Sequence, residues 1–155
     1  MTLALVQAKE PELAYLARLS TQSLDSTLGL DALKGYLNQG TLFTLFKDAQ
    51  PIGFLVQKIV LEEAELIQIL VDPLYCGQGF ANAALALWHQ SVRDLGVCQI
   101  FLEVRQSNVP AVALYQRLGY RSVGIRKNYY RYADGLVDAW VMSLNFLPSI
   151  DSSKL

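Results

Sequence analysis

Glu103 and Tyr115 are the residues of this chain whose types and spacing point most directly to proton chemistry. Glu103 interrupts the apolar run Ile100-Phe101-Leu102-Glu103-Val104, whose β-branched and aromatic residues predict a buried strand. A carboxylate there must be paired, hydrogen-bonded or held protonated, because an isolated buried charge is expensive. After Arg105 the apolar period changes from two to about 3.6. Ala111, Leu114, Tyr115 and Leu118 then share one helical face. Asn108 suits the N-cap, Pro110 the first turn and Gly119 the stop. This strand, turn and helix would let an ionisable strand residue and a helical phenol face a common space. From the residues alone, Glu103 also reads as a structural partner of Arg105 or Arg126, and Tyr115 as a core tyrosine with a bonded hydroxyl.

A second kind of chemistry lies upstream. Cys76-Gly77-Gln78-Gly79 joins a strand, Leu66 to Val71 ending at Asp72-Pro73, to a helix from Phe80 to Leu95. Leu85, Trp88, Val92 and Leu95 lie along one side of that helix, and Gly96 closes it. Free backbone N–H groups and the positive end of the helix dipole make such a loop an anion site. Small residues at Gly77, Gly79 and Ala81 let a ligand approach the backbone closely. His89, with Gln90 and Arg93, reads as a solvated surface residue.

The elements that must position these groups follow from the remaining patterning. Leu3 to Val6 predicts a strand, and a helix opens near Pro11 with Leu13, Leu16, Ala17 and Leu24 at helical spacing. Asp31 is expected to cap a second short helix through Leu37, with Gly40 just beyond. Leu42 to Phe46, the turn Asp48 to Pro51 and Ile52 to Val60 form a hairpin, and Glu62-Glu63 turns into the strand at Leu66. After the opening stretch, Ser122 to Ile125 and Val137 to Leu144 are two more strands. Between them, Arg126 to Tyr132 reads as a loop crowded with basic and aromatic groups, suited either to ligand binding or to covering a sheet edge. The predicted order is β-α-α-β-β-β-α-β-α-β-β, an α/β domain with a mixed, mostly antiparallel central sheet and helices on both faces.

Length and composition bound the rest. The chain has 155 residues, 52% of them hydrophobic and 17% charged, which predicts one folded domain over 1–147 and a polar tail over 148–155. A net charge of -1 gives no global attraction to nucleic acid or an anionic membrane. Cys76 and Cys98 lack metal-ligand spacing and read as reduced thiols, with no metal expected. No apolar run approaches the ~20 residues of a membrane span. A cytoplasmic protein is expected. The final Ser153-Lys154-Leu155 matches a peroxisomal address, but reads first as part of a frayed tail.

The element order, CGQGFA at Cys76 to Ala81 and LEVRQSNVPAVALYQRLGY at Leu102 to Tyr120 resemble the GNAT superfamily of acetyl-CoA-dependent N-acetyltransferases. Residues Ile69 to Ala81, Leu102 to Tyr120 and Gly124 to Met142 narrow the likeness to the RimI-like branch, which acetylates the N-terminal alanine of a ribosomal protein. The resemblance implies acetyl-CoA as donor and a protein N-terminus as acceptor, with Glu103 as general base and Tyr115 as general acid. Glu63 and Glu65 are the alternative bases. It also implies that the coenzyme's pyrophosphate rests on Gly77, Gln78, Gly79, Phe80, Ala81 and Asn82. The pantetheine arm would pair with Ile69, Leu70 and Val71, Asn108 would touch the coenzyme, and Tyr129 and Tyr130 would line the acceptor groove.

The chain departs from the branch at several positions. Cys76 and Asn82 stand where Gln or Arg and a basic residue are common, which implies weaker coenzyme binding. Asp25-Ser26-Thr27-Leu28 replaces a Phe-Pro-Trp element, and Arg131 replaces a proline. These departures keep two alternatives open: another peptide or small amine as acceptor, or a non-catalytic coenzyme-binding module.

Overall fold

Seven strands and four α-helices alternate along the chain in the computed structural model, which describes residues 2–26, 28–132 and 135–146, without the side chains of 129–132. The order is β1 (Leu3–Gln7), α1 (Leu13–Gln22), α2 (Leu30–Gln39), β2 (Leu42–Lys47), β3 (Gln50–Val60), β4 (Glu63–Val71), α3 (Phe80–Asp94), β5 (Gln99–Arg105), α4 (Val109–Arg117), β6 (Arg121–Tyr132) and β7 (Gly135–Asn145). This is the expected succession, with short 3-10 turns added at Glu10–Glu12 and Pro73–Tyr75. Hydrogen-bonded neighbours run β1-β2-β3-β4-β5-β7-β6. The pairs β1–β2, β2–β3, β5–β7 and β6–β7 are antiparallel.

The chain divides into two compact units. The first comprises residues 1–58 and 66–91. Here Leu13, Leu16 and Ala17 of α1 and Leu33 of α2 pack with Leu42, Phe54 and Val56 of the β2–β3 hairpin. A neighbouring cluster sets Phe80 and Ala84 of α3 against Leu45 and Ile52. Trp88, 1% exposed, donates from Nε1 to Gln57 Oε1 at 2.7 Å, so both large polar-tipped side chains are buried with a partner. Two expectations shift in this unit. Asp31 sits inside the first turn of α2, whose N-cap is Gly29. Leu24 lies beyond the end of α1 and is exposed, because the helix stops at Gln22.

The second unit comprises residues 59–65 and 92–155. Its strand β5 alternates strictly in burial, with Ile100, Leu102 and Val104 buried and Phe101, Glu103 and Arg105 only partly covered. Glu103 is therefore not enclosed in an apolar strand: a period of two turns it to the more accessible face. Arg126 to Tyr132, expected as a loop, instead continues β6 to Tyr132. Its register against β7 slips between Arg126 and Tyr130, and Asn128 takes φ 55° with its N–H on Asp138 Oδ1 at 2.9 Å. A bulge absorbs the residues that break strand patterning. Leu95, expected on the buried side of α3, follows the helix end and is exposed. Residues 147–155, including the Ser-Lys-Leu end, lie outside the described residues. None of the described helices is long and apolar enough to cross a membrane.

Candidate active site

The glycine loop is launched by a buried aspartate. Asp72 accepts from Leu74 N at 2.9 Å through Oδ1 and from the Tyr15 hydroxyl at 2.6 Å through Oδ2. Burial and then the Asp72 hydrogen bond push the Tyr15 phenol far above its ordinary range, which keeps it a donor. Beyond the 3-10 turn, Gly77 and Gly79 take φ 77° and 81°, and a Cβ on either would meet nothing within 4 Å. Their requirement is thus conformational, and the space beside the loop is open. Ala83 N bonds to Gly79 O at 3.1 Å, so α3 starts there and the earlier N–H groups precede its first intrahelical bond. No acidic residue occupies the first turn. Residues 76–79 and Asn82 are exposed, whereas Phe80 is buried as the anchor of the helix start. Lys47 Nζ lies 5.5 Å from the Tyr75 ring centroid and 5.6 Å from that of Phe80, a cation held against the rings at the two ends of the loop. Cys76, exposed, turns its thiol to the carbonyls of Val71 and Asp72, each at 3.7 Å.

In the second unit, Glu103 Oε1 accepts from Arg126 Nη1 at 2.7 Å, with side chains 22% and 56% exposed respectively. The carboxylate is paired, one of the outcomes its strand position demanded. Tyr115 is buried at 7% exposure, and its ring meets Tyr120 edge-on with centroids 5.5 Å apart. Burial, reinforced by Tyr115, pushes the Tyr120 phenol far above its usual value. Asn108 is the N-cap of α4 as expected, its Oδ1 accepting from Ala111 N at 3.3 Å, and Pro110 sits in the first turn. Gly119 ends the helix region at φ 99°.

Ile69, Leu70 and Val71 are the half-buried last residues of β4, and Ile69 O already accepts from the Gln68 side-chain amide at 3.2 Å. Ala81 is half-buried in the first turn of α3. Glu63 and Glu65 are exposed at the start of β4. Tyr129 and Tyr130 belong to β6 by their backbone, and their side chains lie outside the described residues. Cys98 keeps its thiol proton more firmly than usual, through desolvation and then its hydrogen bond to Glu62 at 3.5 Å. Sequence reading passed over Asp72 and Tyr15 as site-building residues. The Asp-Pro dipeptide, a turn-initiating pair, was the available signal for the first, while nothing in the sequence announces the second.

A loop of exposed backbone donors ahead of a long helix can hold a phosphate-bearing ligand. A paired but water-accessible carboxylate can exchange a proton with an amine. Each is a part that an acyl-coenzyme A-dependent N-acyltransferase requires.

The chain belongs to the Acetyltransferase (GNAT) family, whose sequence pattern matches residues 10–120. It is accordingly an N-acetyltransferase that draws on acetyl-CoA. It is 41% identical over 109 residues, 70% of this chain and 71% of the relative, to the ribosomal protein bS18-alanine N-acetyltransferase of Escherichia coli K12. A putative enzyme of the same name from Bacillus subtilis is 34% identical over 96 residues, 62% of each chain. The crystal structure of the ribosomal-protein-S18-alanine N-acetyltransferase from Escherichia coli superposes with a TM-score of 0.87 and 30% identity, covering 97% of this chain and 98% of the other. Arabidopsis thaliana Naa50, solved with a bisubstrate analogue CoA-Ac-MVNAL, shares the fold at 18% identity and a TM-score of 0.80, over 94% and 100% of the two chains.

Proposed function

We propose that this protein transfers the acetyl group of acetyl-CoA to the N-terminal amine of an alanine-initiated ribosomal protein. The observation that carries the reading is the sequence likeness to the Escherichia coli enzyme that acts on bS18, supported by the near full-length structural match to it. A ribosomal acceptor puts the reaction in the cytoplasm.

In this reading Gly77, Gln78, Gly79, Phe80, Ala81 and Asn82 offer backbone N–H groups to the donor's pyrophosphate. Ile69, Leu70 and Val71 pair with its pantetheine arm, and Asn108 supplies a side-chain contact. An α-ammonium, with an ordinary pKa of about 7.7–8.0, is mostly protonated at neutral pH and has no lone pair for attack. Glu103 takes its proton, directly or through one water, as the nitrogen bonds to the thioester carbonyl carbon. The carbon–sulfur bond then breaks, and Tyr115 gives its proton to the departing sulfur. Tyr129 and Tyr130 form an aromatic wall that holds the acceptor backbone without demanding one side chain.

Acetyl transfer to short peptides that differ in their first residues tests this, with Glu103→Gln and Tyr115→Phe assayed in parallel. Transfer concentrated on alanine-initiated ribosomal peptides and lost in both variants is expected. Transfer to other amines only would refute the acceptor, and variants as active as the parent would refute the roles.

A further inference from the structure

We infer that Arg126 is a positioning residue for proton transfer, acting through Glu103. The inference rests on the reading of Glu103 as the base. Register places Glu103 opposite Val141, and both Arg105 and Arg126 opposite Ala139. Directly paired residues point to the same side of a sheet. Glu103, Arg105, Ala139, Val141 and Arg126 therefore share one face, with β7 between the carboxylate and Arg126. Two strand spacings, about 9–10 Å, separate the backbones of β5 and β6, a gap that a long arginine crosses over the small side chain of Ala139. Arg105 is nearer in sequence, yet its Nη1 donates to Ser107 Oγ at 3.1 Å. Arg126 takes the carboxylate.

The contact is at one point. Nη1 meets Oε1 at 2.7 Å, and the pair engages that one oxygen. A carboxylate has two acceptor oxygens, so a pair through Oε1 draws that oxygen toward Arg126 and leaves Oε2 outside the pair for an incoming proton. A bidentate fork would have used both. With Arg126 56% exposed, an ion pair of this kind adds little to folding stability. Its consequence is orientation. β5 keeps unbroken register from Gln99 to Arg105, whereas β6 slips immediately after Arg126. One side chain thus ties the fixed strand carrying the base to β6 at the point where that strand enters its bulge.

The test is a double-mutant cycle on acetyl transfer to an alanine-initiated peptide. Positioned general bases contribute about 10²–10⁴-fold, and losing the orientation forfeits part of that. Arg126→Ala is expected to lower kcat about 10-fold without changing KM for acetyl-CoA, and Arg126→Lys to restore most of the loss. In a Glu103→Gln background, Arg126→Ala should cost nothing further. A parent-like Arg126→Ala, or the same loss in both backgrounds, overturns the inference while leaving Glu103 as base. If Glu103→Gln is itself fully active, the base reading falls and the inference with it. Thermal midpoints and acetyl-CoA titrations of each variant separate misfolding from a catalytic loss, and the charge-conserving Arg126→Lys decides the matter if Arg126→Ala does not fold.

Discussion

The Tyr15 hydroxyl donates to Asp72 Oδ2 at 2.6 Å, tying α1 to the residue that launches the glycine loop. Asp72 is buried and also caps the 3-10 turn leading into that loop. Removing one partner of a buried hydrogen bond leaves the other to bear its desolvation, about 1–3 kcal/mol. Tyr15→Phe should therefore lower the thermal midpoint by several degrees and raise KM for acetyl-CoA, with kcat at saturation nearly unchanged. Calorimetry and steady-state kinetics check both; an unaltered KM would mean that the loop holds its geometry without α1.

Two phenols resist ionisation in the folded state. Tyr15 and Tyr120 both lie above the ordinary tyrosine value of about 10. As pH rises past that value the unfolded chain releases these protons first, so the stability they confer is intact below pH ~10 and declines above it. Ultraviolet titration of phenolate should show Tyr15 and Tyr120 ionising only as the protein unfolds. Full ionisation of both in the native state would contradict the burial of Tyr120 and the Tyr15–Asp72 bond.

Glycine substitutions separate backbone conformation from crowding. Gly77→Ala and Gly79→Ala meet no atom within 4 Å but force a left-handed φ on alanine, about 1–2 kcal/mol each. Gly35 lies inside α2, also with nothing within 4 Å of an added Cβ, and carries no such φ. Gly35→Ala should stabilise by about 0.4–1 kcal/mol, measured by urea unfolding. The loop variants should lose both stability and acetyl-CoA affinity, while Gly35→Ala leaves affinity untouched.

The Trp88–Gln57 bond predicts an asymmetric pair of losses. Trp88→Phe empties buried volume and strands Gln57 Oε1, for about 2–4 kcal/mol. Gln57→Leu removes the acceptor and leaves the indole N–H unmatched, without the volume loss, and should cost less. Equal effects in urea unfolding would mean that packing contributes nothing at this site.

Local signals carried much of this fold into the sequence. Asn108, Pro110 and Gly119 punctuate α4 through short-range backbone chemistry, and the apolar periods of α3 and the hairpin are equally local. Long-range partners were not legible. Arg126 to Tyr132 looks like a loop because Asn128 and the charges around it break strand patterning. Asp138 and the opposing β7 register nevertheless carry the strand through as a bulge. Glu103 looked enclosed because its neighbours in sequence are apolar, yet alternation turns those neighbours to the other face. Its partner Arg126 is 23 residues away, so the sequence offered Arg105 and Arg126 as equal candidates. The link from Tyr15 to Asp72, 57 residues apart, left no trace in either local pattern.

The central claim is acetyl transfer to a ribosomal N-terminus. Its most direct measurement is mass spectrometry of purified bS18 after incubation with this protein and acetyl-CoA. The account predicts the mass of one acetyl group on the N-terminal peptide, located on the alanine nitrogen, and its absence with Glu103→Gln. An unmodified N-terminus with the parent protein, or acetyl confined to lysine side chains, would contradict it.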